Sequence, residues 1–219
     1  MKISHRNEIV IETDDGLELT IPYSEICEDE VLIKKLDNGW TVFGCLIQDS
    51  DFGCDRLDED DGAGKIWDRR NLSKCPYEEE YSIASEKDML VYLDIYSHSG
   101  DVFAVAGSEQ ARNFPDQRWD VSHNAGIWMP DKCLRDELKS FPKEKQKEML
   151  TKWAEQAVET LNNVLGGEVY GVVTMVFDDK GEQIGKEDAC WGYIGTDYAR
   201  KELASSFEWL CLKETDNGT

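Results

Sequence analysis

VLIKKLDNGWTVFGCLIQ, residues 31–48, contains the strongest fold signal in the chain. Its two apolar halves flank Asp37, Asn38 and Gly39. Asn-Gly is typical of a tight turn between antiparallel strands, because both residues tolerate positive φ. The stretch therefore predicts a β-hairpin of residues 31–36 and 40–48.

Three further hairpins are predicted on either side of this one, from strand-like runs joined by short turns rich in Gly and Asp. Residues 8–12 and 17–23 flank Asp14-Asp15-Gly16. Residues 89–96 and 102–106 flank a Ser-His-Ser-Gly turn, and residues 168–177 and 183–194 flank Asp-Asp-Lys-Gly. Strands that are consecutive in sequence and joined by such turns favour antiparallel pairing.

The hydrophobic period changes to that of a helix after Pro130. Residues 131–139 and 197–212 are predicted helices, and residues 142–165 form a longer amphipathic one that begins at a proline and ends before two glycines. Its apolar stripe is Leu150, Trp153, Ala157, Leu161 and Val164. The stripe predicts a helix packed on a core.

The order of these elements, hairpins followed by helices without βαβ units, predicts an α+β fold. We expect an antiparallel sheet built from hairpins, with two or three helices packed on one face. A chain of 219 residues is long enough for a single domain. Residues 1–64 are a candidate hairpin-rich acidic lobe within it.

The formal net charge is −22, and the acid is unevenly distributed. Residues 1–100 contain 24 Asp and Glu against 10 Lys and Arg, whereas residues 101–150 contain 9 against 8. A negative field repels phosphate and attracts basic protein surfaces. The charge therefore predicts that the protein does not bind nucleic acid directly. It also predicts that the partner is a basic or DNA-binding protein.

The most acidic stretch is DSDFGCDRLDEDDGAG, residues 49–64, which has almost no apolar periodicity and predicts a solvated loop. Its carboxylates are the candidate binding residues: Asp49, Asp51, Asp55, Asp58, Glu59, Asp60 and Asp61. A calcium-binding EF-hand loop that starts at Asp49 requires glycine at position 54 and glutamate at position 60. The chain has Cys54 and Asp60 at these positions, so the stretch does not match that motif. The basic run at residues 65–71 is expected to pair with this loop.

Seven scattered cysteines without a C-x-x-C pair predict free, mostly buried thiols, Cys190 among them. With only three histidines, the sequence indicates no metal and no cofactor. No apolar stretch is long enough to span a bilayer, and residues 1–12 do not resemble a signal peptide. These features predict a cytoplasmic protein.

The common nucleotide-binding and hydrolase motifs are absent from the sequence. Four residues near predicted turns and strands are weak catalytic candidates: His98, Asp120, Ser122 and Cys190. A histidine that titrates near neutral pH can act as an acid or base, and a thiol with a lowered pKa can act as a nucleophile. Turn formation and core packing explain the same residues without catalysis.

Four short motifs occur in a characteristic order: YSHSG at residues 96–100, RWDVS at 118–122, EVYG at 168–171 and CWGYIG at 190–195. In this order the chain resembles an uncharacterised protein family found on phages, plasmids and other mobile elements. The resemblance covers residues 89–195. It implies a biological setting but no assigned activity.

Charge and resemblance together favour a mobile-element accessory protein that binds a host protein through its acidic surface. Such a protein would be a counter-defence inhibitor, or a DNA mimic whose carboxylates imitate phosphates. The alternative is a small enzyme with a pocket formed by His98, Asp120, Ser122 and Cys190. A structural or replication-accessory protein is a third hypothesis that the sequence does not separate from the first.

Overall fold

The computed structural model describes residues 1–5, 9–59, 62–72 and 74–216. The strands of this part of the chain are β1 Lys2–His5, β2 Ile9–Glu12, β3 Glu18–Ile21, β4 Val31–Lys35, β5 Thr41–Gln48, β6 Lys65–Asp68, β7 Val91–Ser97, β8 Asp101–Val105, β9 Val121–Met129, β10 Val169–Phe177 and β11 Asp188–Ile194. The helices are α1 Glu78–Glu86, α2 Glu109–Arg112, α3 Lys132–Leu138, α4 Lys143–Leu165 and α5 Thr196–Asp216. Short 3-10 helices cover Glu28–Glu30 and Cys54–Glu59.

The fold class, α+β with antiparallel sheets, is confirmed. The predicted count of two or three helices, packed on one face of one sheet, is not confirmed, since the described residues form five helices and three sheets. The chain folds into two compact units. The first comprises Met1–Phe52 and Gly167–Thr219, and the second comprises Gly53–Gly166. A single domain stays a prediction.

The first unit has three layers. One sheet has the order β1-β2-β3 and the other has the order β11-β10-β5-β4. Ile9, Ile11 and Leu19 of the first sheet pack against Phe43 and Phe177 of the second, and all five side chains are fully or almost fully buried. Burial of one large apolar side chain contributes about 2 kcal/mol, so this interface is a main source of the unit's stability.

The third layer is α5, which covers the other face of the four-stranded sheet. Ala199, Leu203 and Leu210 of the helix are buried against that face. Gly44 of β5 makes the close approach possible, because a Cβ there would lie about 3 Å from Leu203 and Phe207. A larger residue at this position would push α5 off the sheet.

The second unit is built around one antiparallel sheet of order β6-β9-β7-β8. Helix α4 packs on one face, where Ala154 and Val158 meet Leu93 and Phe103. Asn162 holds the helix in register by exchanging two hydrogen bonds of 2.8 Å with the backbone of Phe103. Helices α1 and α2 contribute Ala84 and Ala111 to clusters on the opposite face.

The four predicted hairpins are confirmed, because each predicted pair of runs contains two strands that pair antiparallel. The pairs are β2 with β3, β4 with β5, β7 with β8 and β10 with β11. The long predicted helix is also confirmed, since Pro142 immediately precedes α4 and Gly166 follows its last residue. These turn residues and the caps of α4 are local signals that the sequence shows, whereas α1 and α2 were not predicted.

Part of the acidic stretch is more ordered than the predicted loop, whereas none of residues 49–57 is buried, in line with the predicted contact with solvent. Residues 54–59 form a 3-10 helix, and the backbone amides of Gly62 and Gly64 donate to Asp131 Oδ2 at 2.6 and 3.2 Å. Gly64 has φ +74°, and a Cβ there would collide with the indole of Trp128. The stretch is therefore tied to the second unit at its C-terminal end.

The cysteines are free, as predicted, but they are not mostly buried. Cys45 and Cys211 are buried, whereas Cys54, Cys133 and Cys190 are exposed. The expectation that Cys190 packs in the core is wrong, since the first four residues of β11 are exposed. Among the helices that the structure describes, none has the length and apolar character needed to cross a membrane.

Candidate functional site

Three acidic turns meet at one end of the first unit. Two of them belong to the four-stranded sheet, in which β10 pairs with β5 so that Phe177 lies opposite Thr41. Phe177 immediately precedes the turn to β11, and Thr41 immediately follows the turn from β4. The turn that contains Asp37 therefore lies beside the turn that contains Asp178 and Asp179.

The third turn, between β2 and β3, reaches the same place from the facing sheet. The Lys35 ammonium forms a salt bridge with the Asp15 carboxylate across the two hairpins. Gly181, at φ +83°, lies so close to the carbonyl oxygen of Glu18 that a Cβ would not fit. We call this surface the acidic turn end, and its carboxylates are Asp14, Asp15, Glu18, Asp37, Asp178, Asp179 and Glu182.

The acidic turn end is strongly negative at neutral pH. Hydrogen bonds from Lys35 and Thr13 lower the pKa of Asp15 to about 2. Backbone amides of Glu182 and Lys180 lower the pKa of Asp178. Asp14 accepts a hydrogen bond of 2.6 Å from the amino group of Met1. Lys35, Lys180 and the amino group of Met1 neutralise only part of the charge of the seven carboxylates.

The sequence missed this surface as a site, although it identified each turn. All three turns were legible as Asp-rich turns of predicted hairpins. What places them together is the pairing of β5 with β10, two strands that are far apart in the chain. No local pattern specifies that pairing, because long-range register depends on which apolar faces pack together.

The binding residues that the sequence selected instead are divided between the units. Asp49 and Asp51 belong to the first unit, where Asp51 is exposed and Asp49 is half-buried. Asp55, Asp58 and Glu59 belong to the 3-10 helix of the second unit, and Asp60 and Asp61 lie outside the described residues. Their grouping into one binding surface stays a prediction.

Two of the catalytic candidates are in contact in the second unit. His98 Nδ1 lies 3.0 Å from Asp120 Oδ2, and the imidazole stacks on Tyr96 with ring centroids 6.4 Å apart. The His98 side chain is 69% exposed. A carboxylate at this distance orients the ring and directs the other nitrogen outward, as in many histidine bases. The exposure leaves the ring in contact with water.

Ser122 faces away from this pair. It lies opposite Ile95 in the pairing of β7 with β9, and directly opposed residues share a face of the sheet. Ile95 belongs to the core under α4, whereas Tyr96 and its partner Phe114 lie on the other face with His98. Asp120 and His98 therefore converge without the serine.

Cys190, the fourth candidate, is exposed on β11 of the first unit. The structure thus assigns the four candidates to two units, with His98, Asp120 and Ser122 in the second and Cys190 in the first. The catalytic roles of all four stay predictions.

A second histidine–aspartate pair was not predicted. His123 Nδ1 lies 3.2 Å from Asp94 Oδ2, and the amide of Asn124 donates to Asp94 Oδ1 at 2.8 Å. Asp94 is only 6% exposed. The contact arises where the register of β7 and β9 shifts between Leu93 and Ile95. A bulge of this kind has no reliable signature in a single sequence.

Arg70, one residue of the basic run after the acidic loop, has other partners than the loop that was expected to pair with it. Arg70 forms salt bridges with Asp68 at 2.8 Å and with Asp101 at 2.6 Å, and donates to Ser97 Oγ at 2.6 Å. The expected pairing of this arginine with residues 49–64 is therefore wrong. Within the described parts of the chain, no three His, Cys, Asp or Glu side chains form a metal-binding group.

The chain matches no family model, no curated protein and no solved structure.

Proposed function

We propose that the protein is an acidic binding protein that engages a basic surface of another protein through the acidic turn end. The observation that carries the proposal is the convergence of three acidic turns from two facing sheets. Fixed carboxylates on rigid hairpins form such a surface without a large entropy cost on binding. A basic partner is the class of protein that this field attracts.

Supporting evidence comes from the distribution of basic residues. The first unit contains only 9 Lys and Arg against 23 Asp and Glu. Several of these cations are held by nearby acids, as Lys2 is by Glu12 and Arg200 is by Glu30. The remaining carboxylates have little internal compensation, so a partner's lysines and arginines are their natural counterions.

The motif resemblance supports a more specific version of the proposal. In that version the protein is an accessory product of a mobile element, acts in the host cytoplasm, and binds a host DNA-binding protein as a counter-defence inhibitor. The carboxylates of the acidic turn end would occupy phosphate-binding positions of that partner. Duplex DNA should then compete with the protein for the same partner.

The test measures binding of a labelled arginine-rich peptide over a series of NaCl concentrations. We expect the affinity to fall steeply with salt, because exposed charges are screened within about 10 Å at 0.1 M. Replacement of three exposed carboxylates, Asp14→Asn, Asp37→Asn and Asp179→Asn, should weaken binding about tenfold at low salt.

The matched control removes three charges from the opposite end of the same unit, Asp51→Asn, Glu168→Gln and Asp197→Asn. At about 0.1 M NaCl this variant should keep the wild-type affinity to within about twofold, because charges more than about 10 Å from the bound peptide are largely screened at that salt concentration. Equal weakening by both triple variants would show that total charge matters and the acidic turn end does not. Affinity that is independent of salt would overturn the electrostatic proposal altogether.

A small enzyme remains the second candidate function, and the contact between His98 and Asp120 favours it. An oriented imidazole accelerates ester hydrolysis as a general base or nucleophile. With p-nitrophenyl acetate as the probe, we expect His98→Gln and Asp120→Asn to lower the rate, and Ser122→Ala to leave it unchanged. A rate no higher than that of free imidazole at the same concentration would eliminate this candidate.

A further inference from the structure

A cavity of about 290 Å³, half open to solvent, lies in the second unit between the sheet and α4. Most of its wall is apolar, with Leu57 of the 3-10 helix, Ile66 of β6, Phe103 of β8 and Leu161 of α4. Ligand sites are typically concave, largely apolar, and equipped with a few polar groups that orient the ligand. The volume lies near the lower limit for such sites and suits a body of roughly a dozen non-hydrogen atoms.

The polar part of the wall consists mainly of Asp68, Asn71 and Asp101. Asp68 has no acceptor capacity left. Its Oδ1 accepts from the backbone N and the Nε of Arg70, and its Oδ2 accepts from Arg70 Nη2 and Asn71 Nδ2. An ionised carboxylate offers about four lone-pair sites, so all of them are occupied.

Asp101 differs from Asp68 in this respect. Its Oδ1 accepts from Ser97 Oγ at 2.6 Å and from Arg70 Nη1 at 3.4 Å, whereas among the described residues its Oδ2 accepts only from Arg70 Nη2, at 2.6 Å. The Asp101 side chain is 33% exposed. Within the described part of the chain, one acceptor position on Oδ2 therefore has no donor, and Asp101 lines the cavity.

The negative charge of the polar wall is only partly neutralised. Arg70 is the single guanidinium between two carboxylates. Burial opposes ionisation of Asp101, but hydrogen bonds from Arg70 and Ser97 outweigh it and lower the pKa of this carboxyl, so Asp101 is charged at neutral pH. Among the described residues that line the cavity, none is basic. The wall carries a net negative charge beside an apolar surface.

We infer that this cavity binds a small organic cation, with an apolar body of one or two rings and an ammonium group that donates to Asp101 Oδ2. The ring system packs between Phe103, Leu161 and Ile66, and the ammonium supplies the missing positive charge. A charge-assisted hydrogen bond to a partly buried carboxylate is stronger than a neutral one, which makes the site selective for amines. The site belongs to the second unit and is independent of the acidic turn end.

The experiment compares three indole probes by calorimetric titration of the full chain. Tryptamine carries the ammonium, tryptophol replaces it by a neutral hydroxyl, and indole-3-propionate carries a carboxylate. We expect saturable binding of tryptamine, at least about tenfold weaker binding of tryptophol, and no binding of indole-3-propionate, in line with the greater strength of charged hydrogen bonds.

Two variants locate the site. Asp101→Asn keeps an acceptor for Arg70 but removes the charge, and it should reduce tryptamine binding to the level of tryptophol. Its matched control, Asp116→Asn, removes one charge from an exposed position of the same unit that already has φ +45°, which asparagine tolerates, and should bind tryptamine like the wild type. Ala157→Phe fills the apolar part of the cavity and should abolish binding of both probes.

Circular dichroism confirms that each variant folds before it is titrated. Equal affinities for tryptamine and tryptophol would overturn the inference, as would full tryptamine binding by either Asp101→Asn or Ala157→Phe. Failure of tryptamine, phenethylamine and hexylamine alike to bind the wild type at millimolar concentration would overturn it as well.

Discussion

The two units contain the same number of acidic residues and use them differently. Each has 23 Asp and Glu, but the first unit has 9 Lys and Arg and the second has 15, so the formal charges are −14 and −8. Both buried carboxylates of the described residues, Asp94 and Asp131, belong to the second unit. The first unit directs its aspartates into solvent at the turns.

This difference separates two roles of a carboxylate. In the second unit, Asp131 accepts hydrogen bonds from three backbone amides, and Asp94 holds a bulge through the amide of Asn124. These groups stabilise the fold, because the amides would otherwise lie unpaired. In the first unit, exposed Asp37 and Asp179 contribute charge and little structure. Acidity alone therefore does not identify a binding surface.

The largest expected effect is on stability, at Asp131. Asp131→Ala removes the N-cap of α3 and the acceptor for Gly62 and Gly64, and we expect it to lower the free energy of unfolding by about 2–4 kcal/mol. Urea denaturation measures this loss. Asp136→Ala, on the same helix but exposed and paired only with Lys139, should leave the urea midpoint unchanged. Similar losses for both variants would show that a buried, hydrogen-bonded carboxylate stabilises the fold no more than an exposed one, which contradicts the distinction drawn between the units.

A smaller effect concerns the dependence of stability on pH. Burial opposes ionisation of Asp131, but hydrogen bonds from backbone amides outweigh it, so its pKa in the folded state is lower than the unfolded value of about 3.9. Such a group stabilises the fold above the unfolded pKa, and the contribution is lost as pH falls through the folded pKa. Urea midpoints from pH 7 down to 3 should therefore fall less steeply for Asp131→Asn than for the wild type. An identical slope would contradict the assignment.

The smallest expected effect is at the acidic turn end. Asp14→Asn, Asp37→Asn and Asp179→Asn together should change the free energy of unfolding by no more than about 0.5 kcal/mol, as exposed substitutions usually do. The same triple variant should show a weaker stabilisation by NaCl, because less repulsion remains to be screened. A large loss of stability would show that these carboxylates stabilise the fold. The carboxylates of the first unit would then have the same role as those of the second.

The sequence predicted the elements of this fold better than their arrangement. All four hairpins and the helix predicted over residues 142–165 were legible, because glycine-containing turns, two of them with Asn-Gly or Asp-Gly, and helix caps are set by neighbouring residues. The second histidine–aspartate pair was not, since it depends on a bulge between β7 and β9. The cavity could not be predicted either, because its wall combines residues from the 3-10 helix, β6, β8 and α4, which are far apart in the sequence.

By itself, the sequence determined the α+β class, the hairpin turns, the ends of α4 and the excess of negative charge. Only the tertiary structure decided that β5 pairs with β10, that three acidic turns share one end, and that Asp101 retains an acceptor position inside a cavity. The physical reason is the range of the interactions. A hairpin closes a short loop at small entropic cost, so neighbouring residues are enough to specify it. The pairing of strands that are distant in sequence depends instead on how apolar faces are buried over the whole unit.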